Sequence, residues 1–220
     1  MSHKSRIAFV TVGQSPRDDI LPEMLARLGG EVEVTEVGVL DGLDDTRIAD
    51  LAPAEGERRL CTRLRDGREV VTSKAKTGDR LNGILADLSR QGFDLIVLIC
   101  TGYFENVHCD GLFIESQRLV DNYVAALAHG GRKVGVMVPL AEQTRENKDH
   151  TQYERTRITH ASPYSGDRLR EAGRELADVD LIVMHCMGYS EDMRRTVAEA
   201  AGKPVVLARR VIAAGIDQLI

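Results

Sequence analysis

The sequence predicts an α/β protein of two pseudo-symmetric lobes, each with a mainly parallel sheet, and with a cleft between the lobes. Short aliphatic runs alternate with helical stretches, which is typical of βαβ units. Two of the runs are nearly identical: FDLIVLICTGY ends at Tyr103, and VDLIVMHCMGY ends at Tyr189. RIAFVTV from Arg6 likewise resembles KVGVMVP from Lys133. The two pairs indicate one strand pattern that occurs in each lobe.

Each predicted element rests on its periodicity. Strands of a parallel sheet read as unbroken aliphatic runs, and these lie at residues 7–12, 32–37, 95–99, 134–138, 157–160, 181–184 and 205–207. Helical patterns lie at residues 17–28, 78–91, 115–128, 167–176, 191–200 and 209–219. The first helix has a start signal, because Ser15 suits the N-cap, Pro16 the first helical position and Asp18 the third.

The first lobe is predicted to carry an insertion. The opening strands are 127 residues apart, from Arg6 to Lys133, whereas the cysteines are 86 apart, from Cys100 to Cys186, a difference of 41 residues. We place the insertion near residues 41–76, with a helix at LAPAEGERRL and a hairpin around the Asp-Gly of DGREVVTSK. The first lobe is then residues 1–102 with 205–220, and the second is residues 103–204.

Composition favours a small-molecule partner. The net charge is −5 with both signs interspersed, so no basic face indicates nucleic acid. No signal region or apolar stretch long enough to span a membrane occurs, so we expect a cytoplasmic protein without a membrane partner. Cys61, Cys100, Cys109 and Cys186 form no C-x-x-C pair, which favours reduced thiols. No glycine-rich nucleotide motif is present, and we predict no cofactor.

Cys100 and Cys186 are the candidate catalytic residues. Each ends a predicted strand, and parallel sheets carry their chemistry at the carboxyl ends of strands, so the two thiols are expected to share one cleft. Gly102 and Gly188 follow two residues later and allow close approach to a ligand. Two alternatives stay open: a strand-end cysteine is often a structural hydrophobe, and similar aliphatic strands recur by accident.

The loop after the first strand is a candidate anion site, because a helix start offers free amides to a carboxylate. Gln14 and Ser15 are expected to line the cleft, while Arg17 either offers a fork to the substrate or is a surface residue. The predicted substrate-binding residues are Gly13, Gln14, Ser15, Arg17, Thr101, Gly102, Met187, Gly188 and Tyr189.

We predict no metal site, because the cysteines and histidines lack the tight ligand spacing of zinc sites. By strand alternation His185 points away from Cys186 and packs behind the sheet. Cys61, in a helical pattern, and Cys109, beside a turn, are expected to be structural. The polar stretch at residues 142–155 is interpreted as a solvated helix and loop, or as a lid.

The chain resembles the AroM family, within the aspartate/glutamate racemase superfamily. The resemblance rests on RIAFVTVGQSPR, DLIVLICTG, DLIVMHCMGY and KPVVLARRVIAA, and it spans nearly the whole chain. It implies an Asp/Glu racemase-like fold in which two lobes hold a small carboxylate and two cysteines, here Cys100 and Cys186, exchange protons at its α-carbon. Thr101 matches the hydroxyl residue of the superfamily, whereas Met187 and Gly188 depart from the Thr-His of many racemases. A homodimer is also implied.

Two functions follow as hypotheses. The first is a cofactor-independent racemase or isomerase, or a related decarboxylase, that acts on a small carboxylate-bearing substrate through the paired cysteines. The alternative is a non-catalytic protein that binds a small carboxylate, such as an aromatic-pathway metabolite, in the same cleft.

Overall fold

The structure is a computed structural model, and it describes residues 4–145 and 151–220. Its first half contains β1 (Ser5–Thr11), α1 (Leu21–Leu25), β2 (Val32–Gly38), α2 (Asp45–Asp50), β3 (Arg59–Arg63), β4 (Glu69–Ser73), α3 (Lys74–Ser89), β5 (Leu95–Leu98), β6 (Phe113–Glu115) and α4 (Ser116–Ala128). Its second half contains β7 (Val134–Val138), a 3-10 helix (Ala141–Arg145), β8 (Arg155–His160), α5 (Leu169–Glu175), β9 (Leu181–Met184), α6 (Glu191–Ala201), β10 (Val205–Leu207) and α7 (Ala208–Asp217).

Two four-stranded parallel sheets form the frame of the molecule. The first has the order β2-β1-β5-β6, and the second has the order β8-β7-β9-β10. β7 therefore occupies the place of β1, and β9 the place of β5, as the sequence repeat predicts. β5, β7 and β9 are buried along their whole length and β1 from Ile7 onward, because parallel sheets are covered on both faces. The predicted α/β fold with two parallel sheets is confirmed.

Strand pairing differs from the predicted division of the chain at two short strands. β6 pairs with β5 in the first sheet, although residues 103–204 were assigned to the second lobe. β10 pairs with β9 in the second sheet, although residues 205–220 were assigned to the first. The helices that follow these strands, α4 and α7, pack against each other, and α7 also packs against α1. After the last strand of each sheet, the chain thus continues into a helix that packs against a helix of the other lobe.

One hydrophobic core joins the two sheets. It contains Phe9 and Val97 from the first sheet and Val136 and Val183 from the second, all at most 1% exposed, and α4 and α7 close it. Each sheet buries its other face in a smaller separate cluster. Because both lobes bury side chains in the same core, the carboxyl ends of their strands are held in a fixed relation.

The insertion contains the predicted hairpin but not the predicted helix. β3 and β4 are antiparallel, and they are joined by a turn that contains Asp66 and Gly67. The helix in this region is α2, which ends before residue 51, so the expectation of a helix at residues 51–60 is wrong. Pro53 cannot donate to a helix ladder, and Gly56 adopts a φ of 81°, which leads the chain out of helical geometry.

The first helix is shorter than predicted. It begins at Leu21 rather than at residue 17, and Ser15 does not cap it. The Ser15 hydroxyl instead donates to Asp41 Oδ2 at 2.6 Å, and the Ser15 amide donates to Asp41 Oδ1 at 2.9 Å. Both groups that would initiate a helix at this point are therefore occupied by a carboxylate from the insertion.

The polar stretch at residues 142–155 begins in the 3-10 helix and ends in β8, and residues 146–150 of it lie outside the described residues. Within the described part of the chain, no helix combines the length and the apolar character that crossing a membrane requires.

The contact between Gly13 and the hairpin generates a stability prediction. A Cβ at residue 13 would lie 2.5 Å from both Arg63 O and Thr62 Oγ1, whereas a Cβ at Gly83, inside α3, would meet nothing within 4 Å. We expect Gly13→Ala to lower the free energy of unfolding by about 1–3 kcal/mol through overpacking. Gly83→Ala should raise it by up to about 1 kcal/mol through helix propensity. Urea unfolding measures both changes, and a Gly13→Ala protein as stable as wild type would contradict the docked hairpin.

Candidate active site

A cavity lies at the carboxyl ends of β1, β5, β7 and β9, and the inserted hairpin covers it. Its volume, taken as the space open to the centre of a water molecule, is about 60 Å³. One water needs about 10–15 Å³ of such space, so the cavity suits a small molecule of a few heavy atoms. Both Cys100 and Cys186 line it. The parallel strands thus bring the two candidate cysteines to one site, where α/β sheets commonly bind ligands.

The two cysteines have matching local geometry. The amide of Gly102 donates to Cys100 Sγ at 3.3 Å, and the amide of Gly188 donates to Cys186 Sγ at 3.4 Å. Neither glycine has room for a side chain: a Cβ at residue 102 would lie 2.7 Å from Leu60, and one at residue 188 would lie 2.8 Å from Pro163. The Cys-x-Gly spacing therefore provides each sulfur with a backbone donor and lets other parts of the chain approach closely.

Both thiols are neutral near pH 7. Burial raises the pKa of Cys100 from 9.0 to about 12, although the Gly102 amide and the positive charges of Lys74 and Arg17 oppose the shift. Burial also raises the pKa of Cys186, and here the opposing groups are the Gly188 amide, Arg17 and Arg209. The amides and cations therefore partly offset the cost of a buried thiolate without removing it.

Arg17 reaches the cavity as a buried residue, only 4% exposed. Its guanidinium donates to both carboxylate oxygens of Asp19 at 2.8 Å and to Thr11 Oγ1 at 2.9 Å, and it donates to the Tyr164 hydroxyl at 3.3 Å. Since Tyr164 belongs to the second lobe, this arginine links the lobes at the edge of the site. Arg17 is thus a lining residue rather than a surface residue.

The structure brings five of the nine predicted substrate-binding residues to the cavity, namely Arg17, Thr101, Gly102, Met187 and Gly188. The hairpin is held instead by residues 13–15. The Gln14 side chain accepts from the backbone amide of Arg65 at 2.9 Å, and the Ser15 carbonyl accepts from the Arg65 guanidinium at 2.7 Å. Tyr189 is fully buried and donates to the carbonyl of Ala161 at 2.7 Å. These four residues contact protein groups, and the expected preference for Gln14 and Ser15 over Arg17 is reversed.

The insertion contributes one wall of the cavity. Cys61 lies on β3 and lines the cavity, so the expectation that it belongs to a helix is wrong. Burial raises its pKa as well, and nearby Cys186 adds to the effect. The same wall supplies Arg58, Arg59, Leu60 and Thr62, with Lys74 from the start of α3. In β3, Leu60 and Thr62 are buried and alternate with the half-buried Arg59, Cys61 and Arg63.

The described lining is electropositive. It contains Arg17, Arg58, Arg59 and Lys74 and no aspartate or glutamate. Gln143 and Tyr164 complete it from the second lobe, and the Gln143 side chain donates to the carbonyl of Arg59 at 3.1 Å. Neither residue has a local sequence signal, since each meets its partners only through the fold. The charge balance of the cavity suits an anionic ligand.

His185 is among the residues that line the cavity, and its ring contacts α4. Its Nε2 lies 3.1 Å from the side-chain nitrogen of Gln117 and 3.4 Å from Asp121 Oδ1, and the residue is 4% exposed. Cys109 lies outside the cavity lining, and its sulfur is 3.4 Å from Ser89 Oγ. Among the described residues, no group of three or more His, Cys, Asp or Glu side chains is arranged to hold a metal ion.

The raised pKa of Cys100 predicts a dependence of stability on pH. The folded thiol titrates near 12 and the unfolded thiol near 9.0, so its contribution to stability is complete below pH 9 and is lost as pH rises toward 12. We expect the free energy of unfolding to fall more steeply between pH 8.5 and about pH 10.5 in wild type than in Cys100→Ser. Urea titrations at each pH measure the difference, and parallel curves would show that folding leaves the pKa of Cys100 near 9.0.

Known structures with the same architecture are racemases, an isomerase and a decarboxylase. Glutamate racemase from Thermus thermophilus, in complex with β-chloro-D-alanine, has a TM-score of 0.60 at 16% identity over 98% of this chain and 80% of its own. Maleate isomerase from Pseudomonas putida has a TM-score of 0.59 at 13% identity over 97% and 92% of the two chains. Unliganded arylmalonate decarboxylase has a TM-score of 0.55 at 14% identity over 98% and 92%. At these identities the likeness concerns the fold.

No curated protein sequence matches this chain. The family model described as AroM protein matches residues 7–220, which is nearly the whole chain, and the resemblance seen in the sequence is thereby confirmed. The protein belongs to the AroM family.

Proposed function

We propose that this protein catalyses cofactor-independent proton transfer at the α-carbon of a small carboxylate-bearing substrate, as a racemase, an isomerase or a related decarboxylase. The observation that carries the proposal is that two Cys-x-Gly loops, one from each lobe, line a single small cavity. The enzymes that share the fold support it, since all three rearrange or cleave small carboxylic acids, as their names state.

The cationic wall orients the substrate. Lys74 lies close enough to Cys100 to favour its thiolate, and Arg58 and Arg59 line the same wall. A carboxylate that binds these groups brings its α-carbon between the two cysteine loops. The space of about 60 Å³ excludes bulk water and strengthens each electrostatic contact with the bound anion.

The chemistry requires one thiolate and one thiol. We write the reaction with Cys186 as the base; two cations oppose the rise of each thiol pKa, Arg17 and Arg209 at Cys186, and Lys74 and Arg17 at Cys100. Cys100, with a pKa near 12, is the thiol. The Cys186 thiolate takes the α-proton, the electron pair enters the carboxylate as an enolate, and the Cys100 thiol delivers its proton to the opposite face. Cys186 is then the thiol and Cys100 the thiolate, so the reverse reaction starts from the product.

Tyr164 is the candidate stabiliser of the enolate. Burial raises the pKa of its phenol, so the group stays protonated, and its oxygen already accepts a hydrogen bond from Arg17. The phenolic proton is thus held near the cavity beside a cation. A donor fixed before the reaction stabilises developing negative charge without reorganisation, an effect often worth about 3 kcal/mol.

Deuterium exchange tests the reaction directly. The protein is incubated in heavy water with a panel of small amino, hydroxy and cyclic carboxylic acids, and NMR measures deuterium at the α-carbon. We expect exchange with wild type, and a loss of at least about a hundredfold in Cys100→Ser and in Cys186→Ser, because proton transfer by a placed side chain contributes about 10²–10⁴-fold. Cys109→Ser, whose thiol lies outside the cavity lining, is the matched control and should keep the wild-type rate.

Exchange that survives in both single variants would exclude the two-thiol mechanism. The second candidate function, non-catalytic carboxylate binding, is favoured by one observation, that both buried thiols are neutral at rest. It predicts an acid that binds equally well to wild type and to the Cys100→Ala/Cys186→Ala protein by calorimetry, with no exchange in either.

The raised thiol pKa values also predict how exchange depends on pH. Below the pKa of the base, the thiolate fraction grows about tenfold for each pH unit. With a saturating substrate we therefore expect the exchange rate to rise steadily from pH 7 to about pH 9, without the plateau near neutrality that a low-pKa cysteine would produce. A rate that is constant over this interval would show that the base is not a buried neutral thiol.

A further inference from the structure

Cys186 lies between two residues that are held by buried side chains from the rest of the protein. The residue before it, His185, meets Gln117, and the residue after it, Met187, meets Arg209. Gln117 and Arg209 are each 1% exposed. Neither side chain belongs to the cavity lining.

The two holding residues occupy equivalent positions in the repeat. Gln117 is the second residue of α4, directly after β6, and Arg209 is the second residue of α7, directly after β10. Since β6 and β10 are the matching edge strands of the two sheets, the pseudo-symmetry places one helix start from each lobe beside the same cysteine. Two equivalent positions thus converge on Cys186 from opposite lobes.

Arg209 makes a pair of hydrogen bonds to the backbone of the Cys186 loop. Its Nε and Nη2 donate to the carbonyl of Met187 at 3.1 and 2.7 Å. Its Nη1 donates to the carbonyl of Asp19 at 3.1 Å and to Glu23 Oε2 at 3.0 Å, and both of these residues belong to the first lobe. The guanidinium therefore ties the second cysteine loop to the first lobe, and charge-assisted bonds of this kind are stronger than neutral ones.

Gln117 acts on the other side through the imidazole of His185. Its side-chain nitrogen lies 3.1 Å from His185 Nε2, and it also donates to Asp121, which accepts from the Tyr153 hydroxyl at 3.3 Å. The His185 amide donates to the carbonyl of Met137 at 2.9 Å within the sheet. The residue before the cysteine is thus fixed through both its backbone and its ring.

We propose that Gln117 and Arg209 are positioning residues that hold the Cys186 loop from both sides, so that the sulfur and its Gly188 amide keep their orientation toward the cavity. The catalytic consequence rests on the proposed function, but the positioning itself does not. It is a property of the resting protein, and the reactivity of the Cys186 thiol reports it without any substrate.

Several other groups also act on the Cys186 thiol and must stay constant in the test. They come from every element packed around it, and they are Arg17 and Asp19 after β1, Cys61 on β3, Cys100 after β5, Tyr164 after β8, and Tyr189 in its own loop. None of these is changed in the variants below.

The test is alkylation of the full-length protein with iodoacetamide between pH 7 and about pH 10, with peptide mass spectrometry of Cys186 and Cys100 in the same sample. Cys100 serves as the internal reference. In Arg209→Met we expect the alkylation rate of Cys186 to fall about tenfold at each pH, the usual effect of losing a nearby opposite charge, while that of Cys100 stays unchanged. Arg209→Lys keeps the charge but not the paired hydrogen bonds to the Met187 carbonyl, so it should restore the alkylation rate.

Hydrogen exchange separates positioning from charge. In Arg209→Lys and in Gln117→Met, amides of residues 185–190 should exchange about tenfold faster, as expected for one lost hydrogen bond in a buried network, while residues 99–104 stay at the wild-type rate. Arg210→Met and Arg118→Met remove the neighbouring exposed arginines and are the matched controls, which should leave both segments unchanged.

Three results would overturn the proposal: equal changes at Cys186 and Cys100, no change at either in folded variants, or failure of all three variants to fold while both controls fold. The last result would show that the two residues serve global stability. A protein that follows the expected pattern but shows no deuterium exchange would keep the positioning proposal and remove the proposed reaction.

Discussion

The burial of two parallel sheets against one hydrophobic core is the constraint on which the other features depend. Neither lobe covers its inner face alone, since Phe9 and Val97 of one sheet pack in the same cluster as Val136 and Val183 of the other. Close-packed interiors resist relative movement of the elements that form them. The carboxyl ends of β5 and β9 therefore face one cavity as a result of packing, before any specific contact in the site is made.

That packing also creates the chemical problem of the site. A sulfur near a core is poorly solvated, and its pKa rises for that reason alone. Two kinds of group oppose this rise: a glycine amide that donates to each sulfur, and the positive charges of nearby arginines and a lysine. The Arg17 guanidinium illustrates the cost of placing cations there, because Asp19 and Tyr164 must accompany it as partners.

The parts of the site that the sequence could predict are those encoded over a few residues. An aliphatic run followed by Cys-x-Gly occurs twice and identifies Cys100 and Cys186 as a pair, and each run forms a strand of a parallel sheet. The errors came from contacts between distant segments. Gln14 faces a hairpin 51 residues later, and Arg17 meets Tyr164 across 147 residues. Local periodicity also misassigned Cys61, since Pro53 and Gly56 interrupt an otherwise helical composition. The hydrophobic pattern of a sequence indicates the fold class, whereas the residues that line the cavity are determined by tertiary contacts.

The inserted hairpin makes the two halves of the cavity unlike each other. It covers the site from the first lobe and brings Cys61 and the basic residues Arg58 and Arg59, with Lys74 beside it, whereas the described part of the second lobe contributes Gln143, Tyr164, His185 and Cys186. A flat intermediate held between such walls presents two faces to different surroundings. Interconversion of mirror images reaches the same equilibrium whatever the shape of the walls. A reaction that adds one proton to a flat intermediate is different, because unequal walls select the face and therefore the handedness of the product.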